Sequence, residues 1–532
     1  MNRIAAAVLI AVSTTGAVFA QDAAPTTAAA AVAPAYDLRA DVERVMKEFD
    51  VPGIAIAVVK DGKVVAAEGF GVRKRGEAAR VDGKTIFEIA SNSKAFTAAA
   101  LGMLVDQGKL SWDDPVIKHL PDFRMYDAYV TAEMTVRDLL THRSGLGLGA
   151  GDLLWWPTTT FSTDEIIHNL RFVKPATSFR SAYAYDNLLY IVAGKIIAAK
   201  SGKTWGETMH EWILKPVGMT GTTTSLEENA KFANVSAPHS KIAGKAVPVK
   251  PMPVSNAVGA VGINTSAEDI ARWMNVLLDN GKVGGDKRLW SDKQAREMWT
   301  AQTPMTINTP RPPLAATKPN FYAYGLGFQL RDYQGKLVAM HGGALQGFYT
   351  RVLLVPEAKL GIAIFTNAES GPSLNALQYR LLDQHLGVAP TDWIGRIADI
   401  DKEMQAKEAA RVKGEAASRA AQSKPSLALA SYEGDYEDAW YGKVNIKRAN
   451  NKLVMSFTRT PDLTGEMEHF QHDTFIVRWK ERNFNADAYV TFSLDHDGSI
   501  ERVRMKPVST ETDFSYDFQD LLLVPVKKDK KA

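Results

Sequence analysis

Ser91 and Lys94 stand three residues apart at the start of FEIASNSKAFTAAALGMLVDQGKL, residues 87–110. Residues three apart on a helix share a face, so an amine is held beside a hydroxyl at the mouth of an apolar element. A serine hydroxyl is a weak nucleophile that needs an adjacent base, and a desolvated lysine with a lowered pKa can be that base. The helix N-terminus adds backbone N–H groups and a positive dipole end, which suit an oxyanion on an acylated carbonyl. Taken alone, Ser-x-x-Lys is a frequent chance pattern, and the competing reading is a capping serine with a solvated first-turn lysine.

Two later segments carry matching chemistry. Tyr185-Asp186-Asn187 opens a helix whose apolar face is Leu188, Leu189, Ile191 and Val192. A phenol near a lysine ammonium can be shifted towards ionisation and relay protons, and Asn187 offers a donor and an acceptor to a bound amide; Tyr183 is a decoy for the same role. His341-Gly342-Gly343-Ala344 places an imidazole at a strand end beside two glycines, Gly343 among them, that let a substrate backbone approach closely. There the N–H of Ala344 could join that of Ser91 as an oxyanion pair. His142 lies in a turn, where an imidazole commonly ties backbone together, and Gly147 to Phe161, glycine-rich and then carrying Trp155 and Trp156, reads as a lip over a site or as a core plug.

As an ordered set the three motifs are specific: Tyr-x-Asn follows Ser-x-x-Lys by about 90 residues, and His-Gly-Gly follows by about 150 more. The chain resembles the serine β-lactamase and penicillin-binding-protein superfamily, in the branch of class C β-lactamases, D-aminopeptidases and family VIII esterases. Leu139 to Leu146, Ser266 to Asp269, Tyr324 to Gly327, and Gly347-Phe348 match as well, so the resemblance covers roughly residues 40 to 385. It implies an α/β (α+β) domain, an antiparallel sheet flanked by helices with a helical subdomain. It also implies Ser91 as nucleophile, Lys94 and Tyr185 as the proton-handling pair, Asn187 as a substrate-amide contact, and His341 as a polar group facing the substrate. Which of Lys94 and Tyr185 takes the serine proton is left open. His341 stands where β-lactamases usually have lysine, and a neutral imidazole holds a substrate carboxylate less firmly. Small or linear peptides, D-residue-containing ones among them, therefore come first as substrates, esters second and β-lactams third, with a penicillin-binding-like sensor that acylates without turnover as the reading of another class.

These groups need a scaffold. Leu38 to Phe49 has helical spacing, and Ile54–Lys60 with Lys63–Gly69 forms a pair of alternating strands around Asp61-Gly62, preparing a sheet edge for the Ser91 helix, expected from Ser91 to Gln107 with Gly108 at its end. Ser266 starts a helix with the stripe Ile270, Trp273, Met274 and Leu277. Asp392 to Ser423 reads as a connecting helix with a solvated charged face. From Tyr432 to Val524 the period becomes two, with strands Lys443–Lys447, Lys452–Phe457, Thr474–Trp479, Tyr489–Leu494 and Ile500–Pro507, a small antiparallel barrel or sandwich similar to the lipocalin-like domain often appended to this branch. His469 and His472 read as structural rather than as metal ligands.

The expected division is a leader at 1–20, a spacer at 21–37, a hydrolase domain at 38–388, a connecting helix at 389–424, a barrel at 425–526 and a basic tail at 527–532. The leader has Arg3, an apolar core from Ile4 to Val12 and small residues Val18 and Ala20 before Gln21, which predicts export to the periplasm or beyond. No later apolar run is long enough to span a membrane. With 63 Lys plus Arg against 60 Asp plus Glu the net charge is +3, which does not suggest nucleic-acid binding. The absence of cysteine excludes disulfides and thiol chemistry. Neither Gly-x-Ser-x-Gly nor His-Glu-x-x-His occurs, and the expected chemistry needs no metal and no cofactor.

Overall fold

The computed structural model describes residues 36–527, so the expected leader, nearly all of the spacer and most of the basic tail lie outside the described residues. Eight antiparallel strands form the main sheet, in the spatial order Lys63–Gly71, Gly53–Lys60, Leu360–Thr366, Phe348–Val355, Lys336–Leu345, Gln329–Tyr333, Tyr322–Tyr324 and Thr303–Pro304. Asp61 and Gly62 take positive φ values of 51° and 76°, which turns the first hairpin with Lys60 opposite Lys63. The strand Gly53–Lys60 is buried on both faces rather than one. Its large residues Ile54, Ile56 and Val58 face the helices Leu38–Phe49, Gly371–Leu386 and Trp393–Ser418, while Ala55, Ala57 and Val59 face the helix Ala267–Leu278 and the main core. Small side chains on that second face let a helix bearing Trp273 lie close to the sheet.

The nucleophile segment is threaded through this core. Phe87–Glu88 pairs with Asn264–Thr265, a tight 3₁₀ turn follows at Ala90–Ser93, and the α-helix runs from Lys94 to Asp106. Phe96 and Ala98 to Leu101 have no exposed surface, Phe96 stacks on Trp273 at 4.2 Å, and Gly108 ends the helix with φ 67°. The expected helix start at Ser91 is thus tightened by one turn. The cause is local: Asn92 Nδ2 donates to Ile89 O and to Thr350 Oγ1, which itself donates to Ile89 O. These bonds seat the turn on the strands Lys336–Leu345 and Phe348–Val355, and not on the first hairpin as the sequence suggested. Gly343 makes that seat possible, because a Cβ there would lie 2.2 Å from Ile89 O.

Behind it, the helix Leu188–Ser201 lies against the short helix Val258–Val261, with Gly194 meeting Gly259. Thr97 Oγ1 donates to Gly259 O at 2.7 Å, which ties this pair to the nucleophile helix.

The C-terminal sheet is a nearly closed barrel of eight strands. Seven run consecutively up and down from Gly434–Asp438 to Ile500–Pro507, and Val524–Pro525 lies beside the first while Leu523 bridges to Val503 of the last. Three strands exceed the five read from periodicity; Thr464–Gln471, for instance, buries only Gly465 and Met467 and so shows little apolar alternation. The lumen is filled by rings: Tyr432 lies 4.8 Å from Phe492 and 5.2 Å from Phe475, and Phe518 packs on Trp479. His469 Nε2 bonds to His472 O. Only the first turns of Trp393–Ser418 are core; farther along, Glu408 accepts from Ser509 and Thr510 and Glu415 accepts from Tyr489, so part of its charge anchors the barrel instead of facing water. Among the described residues no helix is long and apolar enough to cross a membrane.

A Cβ on Gly259 would lie 2.3 Å from Tyr190 O and 3.0 Å from Gly194 Cα, so Gly259→Ala must push two helices apart. The expected loss is about 1–3 kcal/mol of stability, read as a lowered midpoint in urea unfolding. An unchanged midpoint would show that the two backbones are not in enforced contact.

Candidate active site

Lys94 is completely buried, and its Nζ donates to Ser91 Oγ at 2.9 Å and to Asn187 Oδ1 at 2.8 Å, with Ala260 O at 3.4 Å. Burial pulls its pKa down from 10.5 to about 7, against the opposing pull of the Asp152 and Asp186 carboxylates. Near neutral pH a large share of Lys94 is therefore free amine, able to accept the Ser91 proton. The Tyr185 and Tyr190 rings lie 4.8 and 5.1 Å from Nζ and stabilise its charged form.

Tyr185 corrects an expectation. Its hydroxyl sits beside Ser91, buried and without a hydrogen bond of full geometry, and burial raises its pKa well above 10 although the Ser91 contact lowers it. The phenol keeps its proton, so it is suited to donate and Lys94 to accept. Asn187 is likewise turned inward. Oδ1 accepts from Lys94 and one Nδ2 hydrogen goes to Asp152 Oδ2 at 2.8 Å, so the amide links the lysine to a buried carboxylate.

His341 is 3% exposed, and both of its nitrogens are engaged. Nδ1 donates to Gly342 O at 2.6 Å, so Nε2 accepts from Tyr324 Oη at 2.9 Å. Burial and the nearby Lys94 charge pull its pKa down to about 3, and the ring is neutral. It therefore does not face the substrate as expected but fixes the strand end. Among the described residues the strand Lys336–Leu345 has no strand partner beyond Met340 on its Gln329–Tyr333 side, and Ala344 on that edge is exposed. Ser91 stands in the turn seated on this strand, and Ala344 lies on the strand's open edge. His142, at φ 52°, packs its ring 4.3 Å from Tyr185 and accepts from Asp186 N through Nδ1, a structural place. Gly327, at φ 81°, lets the Tyr324–Gly327 turn lie against Lys94 O, where a Cβ would come within 2.9 Å.

Asp152 was not singled out by any motif. It is fully buried, its Oδ1 accepts from Trp155 Nε1 at 2.8 Å, and its Oδ2 accepts from Asn187 and from Ser515 Oγ, both at 2.8 Å. Burial lifts its carboxyl to about 7, offset in part by those donors and by the Lys94 charge. Its one sequence signal is an acidic residue directly after the glycine run 147–151, just before Trp155-Trp156. Trp155 both fills core and holds Asp152, while Trp156 packs on Tyr516 of the barrel. Among the described residues no group of histidines and carboxylates is arranged to hold a metal.

The family model described as Beta-lactamase matches residues 38–386, and a domain of unknown function, DUF3471, matches residues 418–525. The chain is 30% identical over 483 residues to "Unguisins hydrolase ungD'" of Aspergillus campestris (strain IBT 28561), covering 87% of each. It is 25% identical over 355 residues to "Protein flp" of Staphylococcus aureus (strain MRSA252), 62% of each. The solved octameric penicillin-binding protein homologue from Pyrococcus abyssi superposes with a TM-score of 0.58 at 23% identity, over 91% of this chain and 98% of that one, a likeness of fold.

Because Lys94 must shed its proton before it can accept that of Ser91, covalent labelling of Ser91 by a fluorophosphonate is expected to accelerate as pH rises through about 7. Lys94→Gln is expected to slow it about 10²–10⁴-fold. A flat pH profile in the wild type would remove Lys94 as the base.

Proposed function

This chain belongs to the β-lactamase family, a serine-hydrolase fold, and from that premise we propose that it is an acyl-enzyme hydrolase of small peptides, with esters as the second class of substrate. The observation that carries the reading is the buried Lys94 amine 2.9 Å from Ser91 Oγ. As Oγ forms its bond to the substrate carbonyl carbon, its proton passes to Lys94. The carbonyl oxygen takes the negative charge between the N–H groups of Ser91 and Ala344. The bond to the leaving nitrogen or oxygen then breaks, and that atom takes a proton from Lys94, relayed through the still-protonated Tyr185. Water enters and attacks the acyl carbon while its proton passes to Lys94; the bond to Oγ then breaks, Lys94 returns that proton to Oγ, and the acid leaves with Ser91 restored.

Two features favour peptides over β-lactams. The free edge from His341 to Leu345 can pair with an extended backbone. His341 is neutral and turned inward, so it offers no cation to a β-lactam carboxylate. The family relative named as a hydrolase of unguisins supports turnover over a sensor that only acylates. The leader-like residues 1–20 support work in the periplasm or outside the cell.

Intact mass after brief exposure to a fluorophosphonate, and separately to a penicillin, tests this. Wild type should gain one fluorophosphonate adduct and Ser91→Ala none, while any penicillin adduct should persist. Equal labelling of Ser91→Ala would end the assignment of the nucleophile. Faster consumption of penicillin than of small peptide amides or esters would make the chain a β-lactamase instead.

A further inference from the structure

The barrel does not merely sit beside the hydrolase domain; one of its loops enters the site. The segment 509–517 is held at its start by Glu408, which accepts from Ser509 Oγ at 2.8 Å and from Thr510 N at 3.0 Å. From there it descends until Phe514 lies against Gly149 and 5.9 Å from the Tyr185 ring. Gly149 has φ 67°, and a Cβ on it would come within 2.6 Å of Phe514. Its N–H donates to Tyr185 O at 2.8 Å, so the loop is packed on the backbone that carries the phenol.

The next residues grip Asp152 twice. Ser515, 4% exposed, donates through Oγ to Asp152 Oδ2 at 2.8 Å. Asp517, with no exposed surface, accepts from the N–H groups on either side of Asp152, those of Gly151 at 2.6 Å and Leu153 at 3.3 Å. An unbroken line of hydrogen bonds therefore runs from Ser515 to Asp152, to Asn187, to Lys94 and to Ser91. Neither barrel residue serves the barrel's own lining by these bonds; both reach across a domain boundary, Ser515 to the buried carboxylate and Asp517 to the backbone on either side of it.

We propose that Ser515 and Asp517 are positioning residues of the active site, which act through Asp152 and Asn187 to set where Lys94 stands and how readily it gives up its proton. The inference rests on the reading of Ser91 and Lys94 as nucleophile and base. Lys94 is faced by Asp152 and Asp186 and by the imidazoles of His142 and His341, and Asp152 in turn by Lys94, by Asp517 of the barrel and by the neutral phenol of Tyr185. With the Ser515 donor removed, the ionised carboxylate loses one of its three hydrogen bonds and holds a proton to higher pH. Less negative charge then faces Lys94, which sheds its own proton at lower pH. The amine also loses the firm register that Asn187 transmits.

The test is the rate of Ser91 labelling by a fluorophosphonate, followed by intact mass on the full chain from about pH 5 to 9, with thermal melting as a check of fold. Ser515→Ala is expected to lower the plateau about tenfold and to move the midpoint of the rise to lower pH, and Ser515→Thr, which keeps the hydroxyl, to bring both back. Asp152→Asn, which needs no change in the barrel, should move the midpoint the same way, and adding Ser515→Ala to it should move it no further. A midpoint that stays in place in either single variant overturns the inference, including the case where the plateau falls through packing alone. A wild type that does not label at all overturns the reading of Ser91 on which the inference stands, and so fails differently.

Discussion

Everything in this molecule is arranged around a lysine that water does not reach. An ammonium taken out of water is expensive, and the protein offsets part of that by two aromatic faces, two carboxylates and three oxygen acceptors, while leaving the charge loosely enough held to be given up. Stronger compensation would leave Lys94 permanently protonated and useless as a base. Weaker compensation would open the core around it. The acidic residues are set accordingly: Asp152 and Asp186 act on Lys94 through space, and the direct bond goes to the neutral amide of Asn187.

That requirement explains the crowding. An amine with no solvent access needs walls on every side, and here the walls are backbones in contact. Gly194 and Gly259 let two helices touch, Gly327 lets a turn lie on the Lys94 carbonyl, and Gly343 lets a strand lie under the Ser91 turn. The tyrosine cluster completes the enclosure, with Tyr190 Oη donating to Leu140 O and Tyr324 donating to His341. Replacement of lysine by histidine at the third motif fits the same logic. A second ammonium so near Lys94 would depress its pKa further, whereas a neutral imidazole locked by Gly342 and Tyr324 does not compete.

The residues that were legible in the sequence are those whose neighbours lie close along the chain. Ser91 with Lys94, Tyr185 with Asn187 and His341 with Gly343 each form a short motif, and the structure gathers them at one place. Their order along the chain also pointed to the fold. What the motifs did not carry was direction: Asn187 and His341 point inward, and the Tyr185 phenol is pushed away from ionisation, because burial is a property of the assembled core. The strand Gly53–Lys60 looked one-sided because its alternation of isoleucine and alanine is one of size, not of polarity. Asp152 had only the glycine run before it as a local signal and Ser515 had none, since they are 363 residues apart and meet only when two domains dock.

That separation has a consequence in time. Contacts so distant in sequence close late, because the chain between them must first be made and ordered. As the protein emerges from the ribosome, the motifs of Ser91, Lys94, Tyr185 and His341 are complete long before residues 509–517 exist. A chain that stopped before residue 509 would carry every recognisable motif of the site and yet lack the grip on Asp152. The hydrogen-bond line from Ser515 to Ser91 is thereby completed only at the end of synthesis, after all the residues it steadies have been made.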